Sequence, residues 1–145
     1  MLTKQVKPQH RLEAWRSLRK KFTSESSLEQ VVSAFNFPPN KIRYIDYYSP
    51  NNWPNVFNIV NDGMFCQSGN SIILAATLVD LKIINNVKVQ FDVISSQLDS
   101  IEGLVLKVDK QYCNFIPGQI STEEEVQNYG TIFDSHIITV DKLFA

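Results

Sequence analysis

The stretch Gly63-Met64-Phe65-Cys66-Gln67-Ser68-Gly69-Asn70-Ser71, running straight into Ile72-Ile73-Leu74-Ala75-Ala76-Thr77-Leu78-Val79, decides the fold. From near Cys66 to near Leu81 the residues are apolar around most of a helical circumference, so this segment predicts a helix in the middle of a domain. Its uncharged apolar run, Ile72 to Val79, is far too short to span a bilayer. Cys66 stands at the mouth of the helix, where the N-terminal end carries roughly half a positive charge and favours thiolate over thiol.

Toward the N-terminus, Pro8 suits a first helical turn, and Leu12, Trp15, Leu18 and Phe22 recur at helical spacing. A second helix is predicted to open at Ser26, with Glu29 completing a capping box, and to bury Leu28, Val31, Val32 and Phe35 before Pro38-Pro39. The run Ile42-Arg43-Tyr44-Ile45-Asp46-Tyr47-Tyr48 is rich in strand formers and predicts a strand over 41–48. Turn residues Ser49-Pro50-Asn51-Asn52 then lead through Trp53-Pro54 into a short helix that Asp62-Gly63 stops.

Toward the C-terminus the period changes from about 3.6 to 2 after Asn85-Asn86, with Val87, Val89, Phe91 and Val93 facing one way. Leu104–Val108 and Tyr112–Ile116 read as a hairpin about Asp109-Lys110-Gln111. Ser121 with Glu124 predicts a cap for a short helix ending near Tyr129, and His136–Val140 a last strand. The class is therefore α+β: N-terminal helices and a buried central helix packed on an antiparallel sheet, in one domain over 1–145.

Composition narrows the chemistry. With 43% apolar and 20% charged residues in 145, the chain is long enough to fold around its own core without a metal or disulfide. Cys66 and Cys113 are the only cysteines, and both are expected to be reduced in the cytoplasm, since residues 1–8 lack the apolar run of a secretory signal. Five scattered glycines form no phosphate loop, and two histidines without a carboxylate at helical spacing predict no catalytic metal; no cofactor is expected. Glu123-Glu124-Glu125 reads as a first helical turn whose carboxylates favour the dipole.

Two surfaces are candidates for partners. Lys4, Lys7, Arg11, Arg16, Arg19, Lys20 and Lys21 all precede Phe22 and are opposed only by Glu13. Arg11, Arg16, Arg19 and Lys20 on one helix suit nucleic acid, or a solvated helix whose basic last turn complements its dipole. Aromatic residues concentrate between Phe35 and Phe65, and Tyr47, Tyr48 and Trp53, among prolines and asparagines, form the preferred surface for a protein partner.

A helix opening on Cys66 and followed by antiparallel strands resembles the core of papain-like and transglutaminase-like cysteine enzymes over residues 63–116, extending toward 141. That resemblance implies a thiol nucleophile, an imidazole at the start of the first hairpin strand and an Asn or Asp beyond it. Glu102-Gly103 occupies the imidazole's place, while Asn114 matches the orienting amide. His136 is the candidate base from the last strand, and His10 a poorer one. Asp141, five residues on, would project to the opposite face about 16 Å away along a straight strand; Asp134 is expected to help His136 only if the chain bends back.

Trp53, Pro54, Ile59, Gly63, Phe65, Cys66, Thr77 and Leu78 also resemble small phage-encoded proteins, which implies a host-factor binder or virion component in the host cytoplasm. The leading expectation is a non-catalytic module that binds a macromolecule through the Tyr47–Trp53 loop. The alternative is a thiol hydrolase or amidase with Cys66 as nucleophile, His136 as base, Asn114 orienting it and the Cys66 amide helping to hold an oxyanion.

Overall fold

The computed structural model describes residues 7–145, so the expectations placed on residues 1–6, Lys4 among them, lie outside it. In chain order the elements are α1 (Pro8–Arg19), α2 (Leu28–Ser33), a single 3-10 turn (Pro50–Asn52), α3 (Val56–Asp62), α4 (Gln67–Asp80), β1 (Lys88–Ser96), β2 (Glu102–Val108), β3 (Gln111–Cys113), β4 (Ile120–Thr122), α5 (Glu123–Tyr129), β5 (Gly130–Thr139) and α6 (Asp141–Phe144). The strands form one antiparallel sheet in the order β4-β3-β2-β1-β5. Helices packed on an antiparallel sheet make the α+β class that the sequence pattern predicts.

Helix α4 lies against the middle of the sheet, and every residue from Gln67 to Val79 is buried. Its apolar side chains meet Phe91, Val93, Leu104 and Leu106 on one side and Val31, Val32, Phe35, Ile59 and Val60 on the other. Ser68, Ser71 and Thr77 are buried in this helix at little cost because each finds a backbone or indole partner, whereas Asn70 Oδ1 is buried without one. Ser68 Oγ accepts from the Leu104 N–H (3.0 Å), Ser71 Oγ donates to Leu104 O (2.6 Å), and Thr77 Oγ1 accepts from the Trp15 indole (3.0 Å) while donating to Ile73 O (2.7 Å). Gly69 admits the preceding turn, since a Cβ there would stand 1.8 Å from Met64 O.

The reverse face of the sheet carries a smaller cluster, Ile94, Val105, Tyr112, Phe115 and Val126, beneath α5. Beside it the buried carboxylate of Asp92 accepts from Tyr112 Oη (2.6 Å), Ser135 Oγ (2.6 Å) and Gln90 Nε2 (3.0 Å).

Several expectations are corrected. Residues 41–48 form no strand: beyond an isolated bridge from Asn40 to Cys66, this stretch runs as bends and turns. Ile45 and Tyr47 are buried alternately, as in a strand, but Asp46 organises a turn by accepting from the Tyr48 N–H (3.1 Å), with its carbonyl taking the Ser49 N–H and the Trp53 indole. Both capping boxes sit one residue later than predicted, at Ser27/Gln30 and Thr122/Glu125. Phe22 falls beyond α1, and β5 begins six residues before His136.

Candidate functional site

The N-terminus of α4 opens into a small cleft of about 90 Å³, lined by Cys66, Gln67 and Ser68 from the helix and its cap, Asn40, Arg43, Ile45 and Tyr47 from the preceding loop, Ser100 and Ile101 from the β1–β2 turn, and Glu102 from the start of β2. Cys66 is the N-cap of α4, and the Gly69 N–H donates to its Sγ at 3.4 Å. A sulfur acceptor thus takes the place of the usual capping oxygen at the positive end of the dipole. Gln67, which the sequence reading passes over, sends Nε2 to Leu104 O (3.3 Å) and Asn114 O (3.0 Å), tying the first turn of the helix to β2 and to the turn that follows β3.

Opposite the thiol stands a carboxylate. Glu102 Oε2 accepts the Tyr47 hydroxyl and pairs with Arg43 Nη2 at 3.1 Å. The Tyr47 phenol is pushed well above its ordinary range, first by burial and then by its hydrogen bond to the Glu102 anion. Arg43 also lies over the Tyr47 ring, 5.7 Å from its centroid. Gly103 follows with no room to spare: a Cβ there would meet Ser68 Oγ at 2.9 Å and Gln67 Cβ at 3.1 Å, so the β2 backbone lies directly on the first turn of α4.

The other candidate residues are placed elsewhere. His136 pairs across β1 with Phe91, which in turn faces Leu106, whereas Gly103, which abuts the first turn of α4, stands across from Ile94. The imidazole therefore sits two strands over and three residues along from the strand position that touches the thiol helix; its ring rests edge-on against Trp53 at 5.5 Å. Asp134 stands 3.6 Å from His136 Nε2 with no bending back: residues two apart share a face, and the register slip between Val93 and Ile94 leaves Phe133 as the extra residue. Asn114 is buried, with Oδ1 accepting the Gly118 N–H (3.0 Å) and φ at 72°, so its amide holds the turn after β3. Cys113 is sealed in the core, and burial pushes its thiol up to about 12.

Of the aromatic loop, Tyr47 is buried, Trp53 is half-buried against Phe91 and His136, and Tyr48 is exposed. The basic helix divides likewise. Arg11 turns inward to Asn61 O (2.7 Å), Arg19 lies 4.0 Å over the Trp15 ring and reaches Asp80 at 3.4 Å, and Arg16 and Lys20 face solvent. Among the described residues no helix is long and apolar enough to cross a membrane.

The fold has a counterpart among solved structures. Calcium-bound LapG of Legionella pneumophila superposes with a TM-score of 0.65 at 18% identity, over 90% of this chain and 76% of that one. The likeness is one of fold. No family model matches the sequence, and no curated protein does.

Proposed function

We propose that this protein is a non-catalytic binding module on a cysteine-protease-like fold, and that it engages a protein partner at the rim of the Cys66 cleft. One observation carries the reading: the group facing the thiol cleft from the start of β2 is Glu102, committed through Oε2 to Tyr47 and Arg43, and no imidazole lines the cleft. A thiol nucleophile needs a positioned proton acceptor, and this carboxylate is already held in an ion pair. The rim offers what a protein interface uses: exposed Tyr48, Ile42 and Arg43 around a concave, partly polar floor. The partner belongs to the reducing compartment that two free cysteines suit, the host cytoplasm if the chain is phage-encoded.

The test is alkylation of Cys66 by iodoacetamide across pH. A module gives a rate no faster than that of the unfolded chain and no acidic inflection, together with no peptidase or amidase turnover. Fast alkylation with an acidic inflection, and turnover abolished in Cys66→Ala, would sink it. Glu102→His sharpens the same experiment by placing an imidazole where the fold implies one; alkylation is expected to accelerate.

A thiol hydrolase is the second reading, favoured by the Gly69 N–H on Cys66 Sγ and by the fold. Cys66 is then the nucleophile, with His136 and Asn114 its weaker members. A drop in Cys66 alkylation in His136→Ala or Asn114→Ala is the result that would support them. Nucleic-acid binding is left to Arg16 and Lys20, and retention on heparin at low salt tests it.

A further inference from the structure

Cys66 lines the cleft at the N-terminus of α4, yet it is only 5% exposed. The cleft holds about 90 Å³, room for a few waters, whereas a site that takes a ligand needs roughly 300 Å³ or more. Nothing much larger than water reaches the sulfur unless a wall moves.

The walls are held differently. On one side Glu102 belongs to β2 and pairs with Ser95 of β1, and the first turn of α4 is tied to Leu104 by Gln67 Nε2 (3.3 Å) and Ser68 Oγ (3.0 Å). On the other side residues 41–45 belong to no helix or strand. That stretch is fastened before by the Asn40 N–H, which donates to Phe65 O at 2.8 Å, and after by the turn at Asp46. Side chains add to the hold: Ile45 and Tyr47 are buried, and the Tyr47 hydroxyl and Arg43 Nη2 (3.1 Å) converge on one atom, Glu102 Oε2.

We infer that residues 41–48 form a strap closed over Cys66, with Glu102 as its catch, and that the thiol is reached when the strap lifts. Lifting withdraws Ile45 and Tyr47 but leaves α4 packed between the sheet and the helices α2 and α3. It is therefore a local opening, lower in free energy than global unfolding. Access to the sulfur is gated in this way whether the thiol serves as a nucleophile or only as a cap.

The chain carries its own reference thiol. Cys113 is sealed in the core beside Leu106 and Ile120, and global unfolding is what exposes it. Both thiols are alkylated with iodoacetamide at one pH over low urea concentrations, and each is read by mass spectrometry. Cys66 is expected to react at least about tenfold faster than Cys113 and with a shallower urea dependence, yet at least about tenfold slower than in the urea-unfolded chain. Two variants separate the local from the global route. Val126→Ala weakens the reverse-face cluster, which stays formed when the strap lifts; it is expected to speed Cys113 about tenfold and to leave Cys66 within about twofold. Glu102→Ala frees the catch, which is lost in the lifted and the unfolded states alike, so it is expected to speed both thiols by one common factor of about three or more. Tyr47→Phe, which removes one of the two ties, moves both the same way by less.

Cys66 reacting at the unfolded-chain rate would mean that no strap covers it. Equal rates and urea slopes at the two thiols, or a Cys66 that follows Val126→Ala, would mean that only global unfolding exposes it. Cys66 indifferent to both Glu102→Ala and Tyr47→Phe would remove the catch. Each result overturns the inference. An acidic inflection in the pH profile of Cys66 counts against the binding module alone, because the strap is read from urea slopes and variants at a single pH.

Discussion

The two faces of the sheet each hold a tyrosine hydroxyl on a carboxylate, and they do different work. On the helix-covered side, at the cleft, Tyr47 meets Glu102, whose side chain is one-fifth exposed and has Arg43 as cation. On the reverse side Tyr112 meets Asp92, which is 3% exposed and held only by neutral donors, Tyr112, Ser135 and Gln90. A sealed carboxylate without a cation depends wholly on its donors, so that pair is structural. A carboxylate at a cleft with an arginine can exchange its partners for water or for a ligand, so that pair is available to function. Identical chemistry is thus divided by burial and counter-charge.

The largest expected effect is at the sealed pair: Asp92→Ala takes the acceptor from the Tyr112 and Ser135 hydroxyls, Gln90 keeping Ser135 Oγ, and is expected to cost about 3 kcal/mol in urea unfolding. Removing the donor's hydroxyl too, in Asp92→Leu/Tyr112→Phe, is expected to recover part of that loss, since an apolar replacement of both partners costs less than stranding one. Tyr112→Phe alone takes one donor from the buried anion and is expected to cost about 1.5 kcal/mol. At the cleft, Tyr47→Phe leaves Glu102 its arginine and its water, for about 1 kcal/mol or less. Arg43→Ala removes an ion pair whose arginine side chain is 63% exposed and is expected to change stability by less than about 0.5 kcal/mol. Equal costs at the two pairs would break the comparison.

Alkali tests both pairs together. Burial and an adjacent anion raise both phenols above the ordinary value of about 10, so the folded chain holds these protons more tightly than the unfolded chain. Their contribution is complete below that value and is lost as pH rises above it, so stability is expected to fall in the alkaline range. Tyr47→Phe and Tyr112→Phe should each flatten that fall, as followed by unfolding midpoints against pH.

The sequence made most elements legible where one periodicity dominated. The apolar circumference of 66–81 and the alternation of 87–93 both correspond to observed elements, α4 and β1. The caps slipped by one residue because Ser26 and Ser27, like Ser121 and Thr122, each have a Glu or Gln three positions on, and local pattern does not choose between them. The strand expected over 41–48 failed for a tertiary reason: its alternation is real, but later strands fill the sheet, and Asp46 offers the backbone a turn instead. Glu102 was visible as the residue standing in the imidazole's place. Arg43 was not, because an arginine in a run of strand formers carries no signal of the distant glutamate, Glu102, that it will meet. The Asp134–His136 pairing was hidden by an expected need for the chain to bend, when two-residue spacing was enough.

Helix α4 is bolted to β2 through Ser68, Ser71 and Gln67, and walled on its far side by α2 and α3. Such a rod has nowhere to travel, and whatever arrives at its mouth must be accommodated by the backbone that carries Arg43, Tyr47 and Tyr48. Any adjustment at the helix mouth therefore falls to that one segment outside the sheet, while the thiol keeps its post.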